Sequence, residues 1–374
     1  MITALPGRIA ALPDELRQVC EWLFAVEVAT GYTDPPAALE AWIGQQFGAV
    51  GAVREQTIVK VVNRLTLEAA IFNPLRARRP RESSGGDAEL EARIAERLAA
   101  HDMFRQPLHD TTADVFGRIR GRFCITASNI AKYDGWHGLV IFDEPHPLRF
   151  GQEQLRDYLD VAFRWIAAAH ARDGRAIYPI ITWNCLPKSG ATLMHGHMQM
   201  ALARGMPYAR VECWRRAAAA YRAHNGADYF ADLFAVHQAL GLTIPCVDGL
   251  HAFAHLTPLR DREIVLLANQ GPGRQGARAQ DLADALYAIL RGLIDRQGVR
   301  AFNVAIALPP LAATTEDWCD IPVIARLADR GDPLAASSDL GAMELFATGC
   351  VVSDPFEVAS SLRNPQWPAV NGER

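Results

Sequence analysis

Paired cysteines are missing from this sequence. Its seven cysteines (Cys20, Cys124, Cys185, Cys213, Cys246, Cys319 and Cys350) are odd in number, scattered, and never form C-x-x-C. They read as reduced packing residues, so neither a disulfide framework nor a thiolate metal site is expected. Runs of one charge are also missing. The formal net charge is -4, and no segment gathers the lysines and arginines that a nucleic-acid groove or an anionic membrane patch requires. No uninterrupted apolar stretch approaches the roughly 20 residues of a membrane span. The first residues, Met1 to Gly7, show no basic region followed by an apolar one. Nucleic-acid polymers and membranes are therefore not expected partners, and a cytoplasmic protein is.

What is present is apolar material: half of the 374 residues, enough for one large core or two ordinary ones. Helical spacing of apolar residues predicts helices over 14–25 and 36–47, a helical leader. The β-branched run Thr57–Val62 predicts a strand leading to Ala70-Ile71-Phe72-Asn73-Pro74 and the basic stretch after it. Residues 81–88, with Ser83-Ser84-Gly85-Gly86, predict a flexible surface connection. From about residue 122 the pattern becomes strand, helix, strand: strands at 123–126 and 138–142, a helix over 152–171 stopped at Gly174, and a strand over 176–183. The order returns as a strand at 263–267, a helix over 279–297 and a strand over 302–308. Two such units predict an α+β protein of two similar halves, an N-terminal one over 1–205 and a C-terminal one over 206–374.

The chemistry concentrates in Asn184 to Gln199. In His195-Gly196-His197-Met198-Gln199-Met200 an extended chain places both imidazoles and the carboxamide on one face and the methionines on the core face. Two imidazoles and an amide make either a metal site or a phosphoryl-transfer site. The preceding loop, Lys188-Ser189-Gly190-Ala191-Thr192, offers a cation, backbone N–H groups and two hydroxyls to an anion.

This stretch resembles the active-site motif of the histidine-triad (HIT-like) superfamily in its transferase branch. That branch includes ATP adenylyltransferase / diadenosine tetraphosphate phosphorylases, galactose-1-phosphate uridylyltransferases and GDP-galactose phosphorylases. The resemblance implies a HIT-like fold with an antiparallel sheet and packed helices. The hydrolases carry His at the third triad position and the transferases Gln, as at Gln199. His197 would then be the nucleophile, His195 its support, and Gln199 a donor to the phosphoryl oxygens. Asn184, eleven residues before His195, is similar to the phosphate-contacting Asn of the uridylyltransferases. Ser189-Gly190-Ala191-Thr192 resembles the Ser-Gly-Ala-Ser phosphate loop of the adenylyltransferases, with Thr192 in place of its last Ser. The segment Ser128–Ile141 resembles the nucleoside-binding segment, placing Asn129 near the ribose and His137 at the start of the next strand. Phe72-Asn73-Pro74 followed by Arg76, Arg78 and Arg79 resembles the basic N-terminal segment of the adenylyltransferases. The likeness is strong over about 122–200; in the C-terminal half it rests on pattern and on Phe302-Asn303 with Pro309-Pro310.

Zinc-binding uridylyltransferases use a Cys pair, a His some fifty residues before the triad, and the first triad His. His146 has the separation, but the Cys pair does not exist, so no structural zinc is expected. His146 is left between a substrate contact and a solvated turn residue. His251 and His255 have helix-like spacing and read as structural. No His follows His255, so the second half cannot repeat the triad.

The implied activity is nucleotidyl transfer by double displacement through a covalent nucleotidyl-histidine. The first expectation is an ATP adenylyltransferase / dinucleoside polyphosphate phosphorylase. The second is a sugar-1-phosphate uridylyl- or guanylyltransferase, and a third, from another class, is a non-catalytic nucleotide-binding protein. Partners would be nucleotides and phosphate-bearing small molecules, with a homodimer allowed. No obligatory cofactor is implied; Mg2+ would arrive only with the nucleotide.

Overall fold

The computed structural model describes residues 1–79, 85–100, 102–247, 249–268, 279–337 and 340–363. In chain order the strands are β1 (Phe24–Tyr32), β2 (Glu55–Asn63), β3 (Ala69–Phe72), β4 (Cys124–Ser128), β5 (Trp136–Phe142), β6 (Ala176–Cys185), β7 (His197–Arg204), β8 (Thr243–Ile244), β9 (Leu250–Ala254), β10 (Ile264–Ala268), β11 (Phe302–Ala307), β12 (Val323–Asp329) and β13 (Thr348–Val351). Nine of them form one sheet in the order β4-β5-β7-β6-β11-β12-β10-β9-β8, antiparallel throughout. The other four form a smaller sheet, β1-β2-β3-β13, in which β13 runs parallel to β3.

The large sheet is two like units joined edge to edge at β6 and β11. Each unit is strand, strand, helix, strand, strand: β4 and β5 precede the Gln152–Arg172 helix and β6 and β7 follow it, while β9 and β10 precede the Ala279–Gln297 helix and β11 and β12 follow it. The register repeats as well. Cys124↔Phe142 in the first unit corresponds to Leu250↔Ala268 in the second.

Both long helices carry an apolar stripe, Leu155, Leu159 and Ile166 on one and Leu282, Leu286 and Leu293 on the other, and pack side by side on one face of the sheet. Met198 and Met200 face that core, as the alternation predicts. The opposite face differs between the halves. Over the second half it is covered by the helices Ala209–Asn225 and Tyr229–Ala239, the N-terminal helices and the small sheet, with Leu5, Leu23, Val61 and Phe72 packed with Leu233, Phe253, Leu267 and Ile324. Over the first half, among the described residues, a small cluster lies there: Phe104, Ile125, Ala127, Leu139 and Ile141.

Helices Asp14–Leu23 and Ala37–Phe47 match the expected leader, but they are not its whole content. Phe24–Tyr32, unmarked by pattern, is a strand paired along its length with β2. Residues 81–84 of the expected flexible connection lie outside the described residues, and Asp87 already begins a helix. His251 and His255 sit on and just after β9, not on a helix, and the His251 ring packs at a tilt against Phe234 with centroids 4.1 Å apart. Among the described residues no helix is long and apolar enough to cross a membrane.

Candidate active site

β7 lies between β5 and β6, and its first residue is His197. The ring of His197 is buried, and its Nδ1 donates to the carbonyl of His195 at 2.8 Å. That bond places the ring proton on Nδ1 and leaves the Nε2 lone pair open. Burial pushes the His197 pKa below the ordinary imidazole value; the bond to His195 opposes this and the charge of the His195 ring adds to it. A neutral ring with one committed nitrogen is what a phosphorus nucleophile requires.

His195 precedes the strand rather than lying on it, and its ring is clamped on two sides. Nδ1 faces the Asp102 carboxylate at 2.8 and 3.0 Å, and Nε2 faces the Phe142 carbonyl at 2.7 Å. Both ring nitrogens thus face oxygen atoms of the protein. Gly196 between the histidines has a packing reason: a Cβ there would stand 2.6 Å from the Phe142 ring. Phe104 meets both imidazoles edge-on, at 5.8 Å for His195 and 5.2 Å for His197. A cavity of about 490 Å³ opens alongside, bounded by Asp102, Phe104, Arg105, Asp143 and His195, within the size range of small-ligand pockets.

Gln199 lies two residues along β7, opposite Leu139 of β5 and Thr182 of β6. Its Oε1 is 2.9 Å from His137 Nε2. The Tyr133 backbone N–H can only donate, and it reaches His137 Nδ1 at 3.4 Å, so Nε2 carries the proton and Gln199 accepts it. The amide nitrogen of Gln199 thus remains a donor. Tyr133 covers the His137 ring at 3.7 Å, and Asn129 stands beside it, Nδ2 to Nε2 3.3 Å. Burial pushes the His137 pKa down, the Gln199 bond opposing.

Asn184, near the end of β6, pairs across the seam with Asn303 of β11, and its Oδ1 accepts from Asn303 Nδ2 at 2.7 Å. Gly190 at φ 98° closes the turn that follows, a left-handed conformation suited to glycine. Thr192 is exposed in the loop leading to the triad.

Two members of that loop are turned away from an anion. The buried Ser189 hydroxyl lies 2.6 Å from the Cys185 carbonyl and 2.7 Å from that of Leu186, so it closes its own turn. Lys188 Nζ donates to the Ala335 carbonyl at 3.2 Å and to that of Ser337, latching the loop to the second half. Arg76 and Arg78 are not brought to the histidines. Their turn follows β3 and packs on β2 and the Ala37–Phe47 helix, where Arg78 donates to the Phe47 carbonyl at 2.6 Å. Arg76 lines a separate cavity of about 230 Å³ with Asn73 and Gln56. His146 is a buried turn residue rather than a solvated one: its Nδ1 accepts from the Leu148 N–H at 3.3 Å and Glu91 faces its Nε2 at 3.2 Å. Among the described residues no group of three or more His, Cys, Asp or Glu is arranged to hold a metal ion.

Asp102 and Phe104 enter the site without having been singled out in the sequence, while Tyr133 lies within the Ser128–Ile141 segment and Asn303 in the Phe302-Asn303 pair, neither residue having been given a role. Asp102 and Phe104 sit in a loop far upstream of the triad and carry no motif.

No protein-family model matches the sequence, and no curated protein does. Solved structures do match. An ADP-glucose phosphorylase from Arabidopsis thaliana, solved with bound ADP-glucose, is 15% identical over 81% of this chain and 97% of its own, with a TM-score of 0.62. A GalT-like protein from Arabidopsis thaliana is 15% identical over 71% and 92%, with a TM-score of 0.57. A uridylyltransferase is 16% identical over 65% and 85%, with a TM-score of 0.55. The strand order, the repeated register and these likenesses agree: the chain has an α+β, HIT-like fold shared with these structures.

Proposed function

We propose that this protein is a nucleotidyltransferase that passes a nucleoside monophosphate through a covalent bond to His197. The observation that carries the reading is the state of that ring: buried, neutral, Nδ1 committed to the His195 carbonyl and Nε2 open. In the first step Nε2 attacks the α-phosphorus, the N–P bond forms, and the P–O bond to the leaving group breaks. In the second, an oxygen of a phosphate-bearing acceptor attacks the same phosphorus and the N–P bond breaks, restoring neutral His197. The Gln199 and Asn184 amide N–H groups donate to the non-bridging oxygens, where charge develops. Asp102 holds His195, and through it the carbonyl that fixes the His197 tautomer. No resident cofactor takes part, and Mg2+ accompanies the nucleotide.

Two donor classes fit this chemistry. Nucleoside diphosphate sugars are favoured by fold likeness, since one matching structure is an ADP-glucose phosphorylase and another a uridylyltransferase. Dinucleoside polyphosphates are favoured by the Ser-Gly-Ala-Thr loop of the sequence. Intact-mass analysis after brief incubation with both classes separates them. An acid-labile increment of one nucleoside monophosphate is expected on the unsubstituted chain and none on His197→Ala, and the donor that gives it names the class. Nucleotide binding with neither adduct nor exchange from any donor would instead establish a binding protein and overturn the transferase reading.

A further inference from the structure

The second half has no histidine triad, yet it reaches into the site at the β6–β11 seam. We propose that Asn303 and Arg330, both from that half, are positioning residues that set which end of the Asn184 carboxamide faces the phosphoryl group. This rests on the nucleotidyl-transfer reading above.

A carboxamide has a donor end and an acceptor end of nearly equal shape, and only its hydrogen-bond partners decide which way it lies. Here the decision starts from a group with no choice. A guanidinium only donates, and Arg330 Nη1 meets Oδ1 of Asn303. The other end of Asn303 is therefore its NH2. That nitrogen lies 2.9 Å from the Ser189 carbonyl, which only accepts, and 2.7 Å from Asn184 Oδ1. Both hydrogens of Asn303 are thereby used, one on the loop and one on Asn184. Asn184 must then hold its oxygen at the seam and turn its own NH2 away. That nitrogen lies over the turn at Gly190, where a Cβ on Gly190 would stand 3.8 Å from it.

The consequence is chemical. A phosphoryl oxygen only accepts, so Asn184 serves it only with the NH2 end outward. Arg330 fixes Asn303, Asn303 fixes Asn184, and the same Asn303 nitrogen tethers the loop through Ser189. Direct pairing of Asn184 with Asn303 in the β6–β11 register makes the relay short and rigid. The half without the triad thus supplies the polarity of a donor in the half that has it.

Asn303→Asp tests the relay, because a carboxylate only accepts and draws the Asn184 NH2 back to the seam, leaving an oxygen facing the phosphate. The rate of adduct formation is measured for the unsubstituted chain, Asn303→Asp, Asn184→Ala and the double variant. A fall of about ten- to a hundredfold, the worth of a hydrogen bond to a charged group, is expected for Asn303→Asp alone. No further fall is expected when the same change is made on Asn184→Ala. Asn303→Ala, which frees the amide without reversing it, is expected to lose less than Asn303→Asp. Equal losses in both Asn184 backgrounds, or Asn303→Ala as poor as Asn303→Asp, would overturn the relay. If the unsubstituted chain forms no adduct with any donor, the transferase reading fails by itself. The same four proteins measured for inorganic pyrophosphate affinity then decide the relay by the same criterion: a loss confined to the Asn184 background supports it, and an equal loss in both overturns it.

Discussion

A histidine attacks phosphorus only while one ring nitrogen is unprotonated, so in the proposed reaction the protonation of His197 sets the acid limit. Burial lowers its pKa, and the reactive form is the one above that pKa. Adduct formation is therefore expected to hold steady as pH falls through 6.5, the ordinary imidazole value, and to decline only in more acid solution. A midpoint at or above 6.5 in the pH profile of single-turnover adduct formation would contradict this. The second requirement is a fixed tautomer, and here Asp102 matters. Asp102→Asn keeps the shape and removes the charge that faces His195 Nδ1. About ten- to a hundredfold is expected to be lost in the adduct rate, the range for a charge-assisted hydrogen bond, with nucleotide affinity little changed. The motif made His195, His197 and Gln199 legible because their spacing on one extended segment is local. Asp102 was not legible: its contact with His195 spans 93 residues, and a lone Asp in a loop resembles any other.

At the scale of elements, legibility followed burial pattern. The helices Gln152–Arg172 and Ala279–Gln297 were readable almost to the residue, because one face of each is wholly apolar and Gly174 and Gly298 follow their ends. β1 was not, because most of it is exposed and nothing alternates; it is a strand through pairing with β2, more than twenty residues away. The carbonyl partners of Lys188 and Ser189 were not legible for a similar reason, since residue types suited to an anion also suit the carbonyls of a tight turn. Lys188→Met is accordingly expected to slow adduct formation by less than about tenfold, below the loss of a full charge-assisted contact, while speeding amide exchange in residues 332–337. Hydrogen exchange and the adduct assay together check it. The Tyr229–Ala239 helix carries another consequence. His237 on it is buried, donates to the Leu233 carbonyl, accepts from the Leu256 N–H, and has its pKa pushed down to about 3 by burial, the charge of His255 adding to this. The unfolded chain therefore binds a proton that the folded one refuses. Stability is full above about pH 6.5 and falls toward pH 3, at up to about 1.4 kcal/mol per unit for this one group. His237→Gln is expected to flatten that slope in urea unfolding at pH 7 and pH 5; an unchanged slope would assign acid sensitivity elsewhere.

For the whole molecule the repeated register explains why two like halves carry one site. His197 pairs with Ile141 and Gln199 with Leu139 in the first half; the corresponding pairs in the second are Ile324 with Leu267 and Arg326 with Val265. An isoleucine thus stands at the position of His197, and an arginine at that of Gln199. Glu263 holds the position of His137, and its Oε1 accepts from Arg326 Nε at 2.6 Å, so the His137–Gln199 pair is repeated as an ion pair. Arg326 also meets Glu68 from the turn between β2 and β3, and its guanidinium lies 5.5 Å from the centre of the Trp214 ring. Burial would raise the Glu68 carboxyl, but Arg326, His255 and Arg210 override it and hold it well below the usual carboxylate range. The small sheet and its helices therefore close that side of the second half with a paired charge network, while in the first half a cavity lies beside His195. Removing one partner from such a network leaves the others buried and unpaired, which costs about 3–5 kcal/mol. Arg326→Met is expected to lower the urea-unfolding free energy by that amount and, in the folded fraction, to leave the adduct rate within about twofold of the unsubstituted chain. The expectation separates two kinds of molecule. If the closed face only stabilises, stability falls and chemistry stays. If the adduct rate instead falls by tenfold or more in fully folded protein, the two faces are coupled through β12 and β11, and the second half does more than seal its own side.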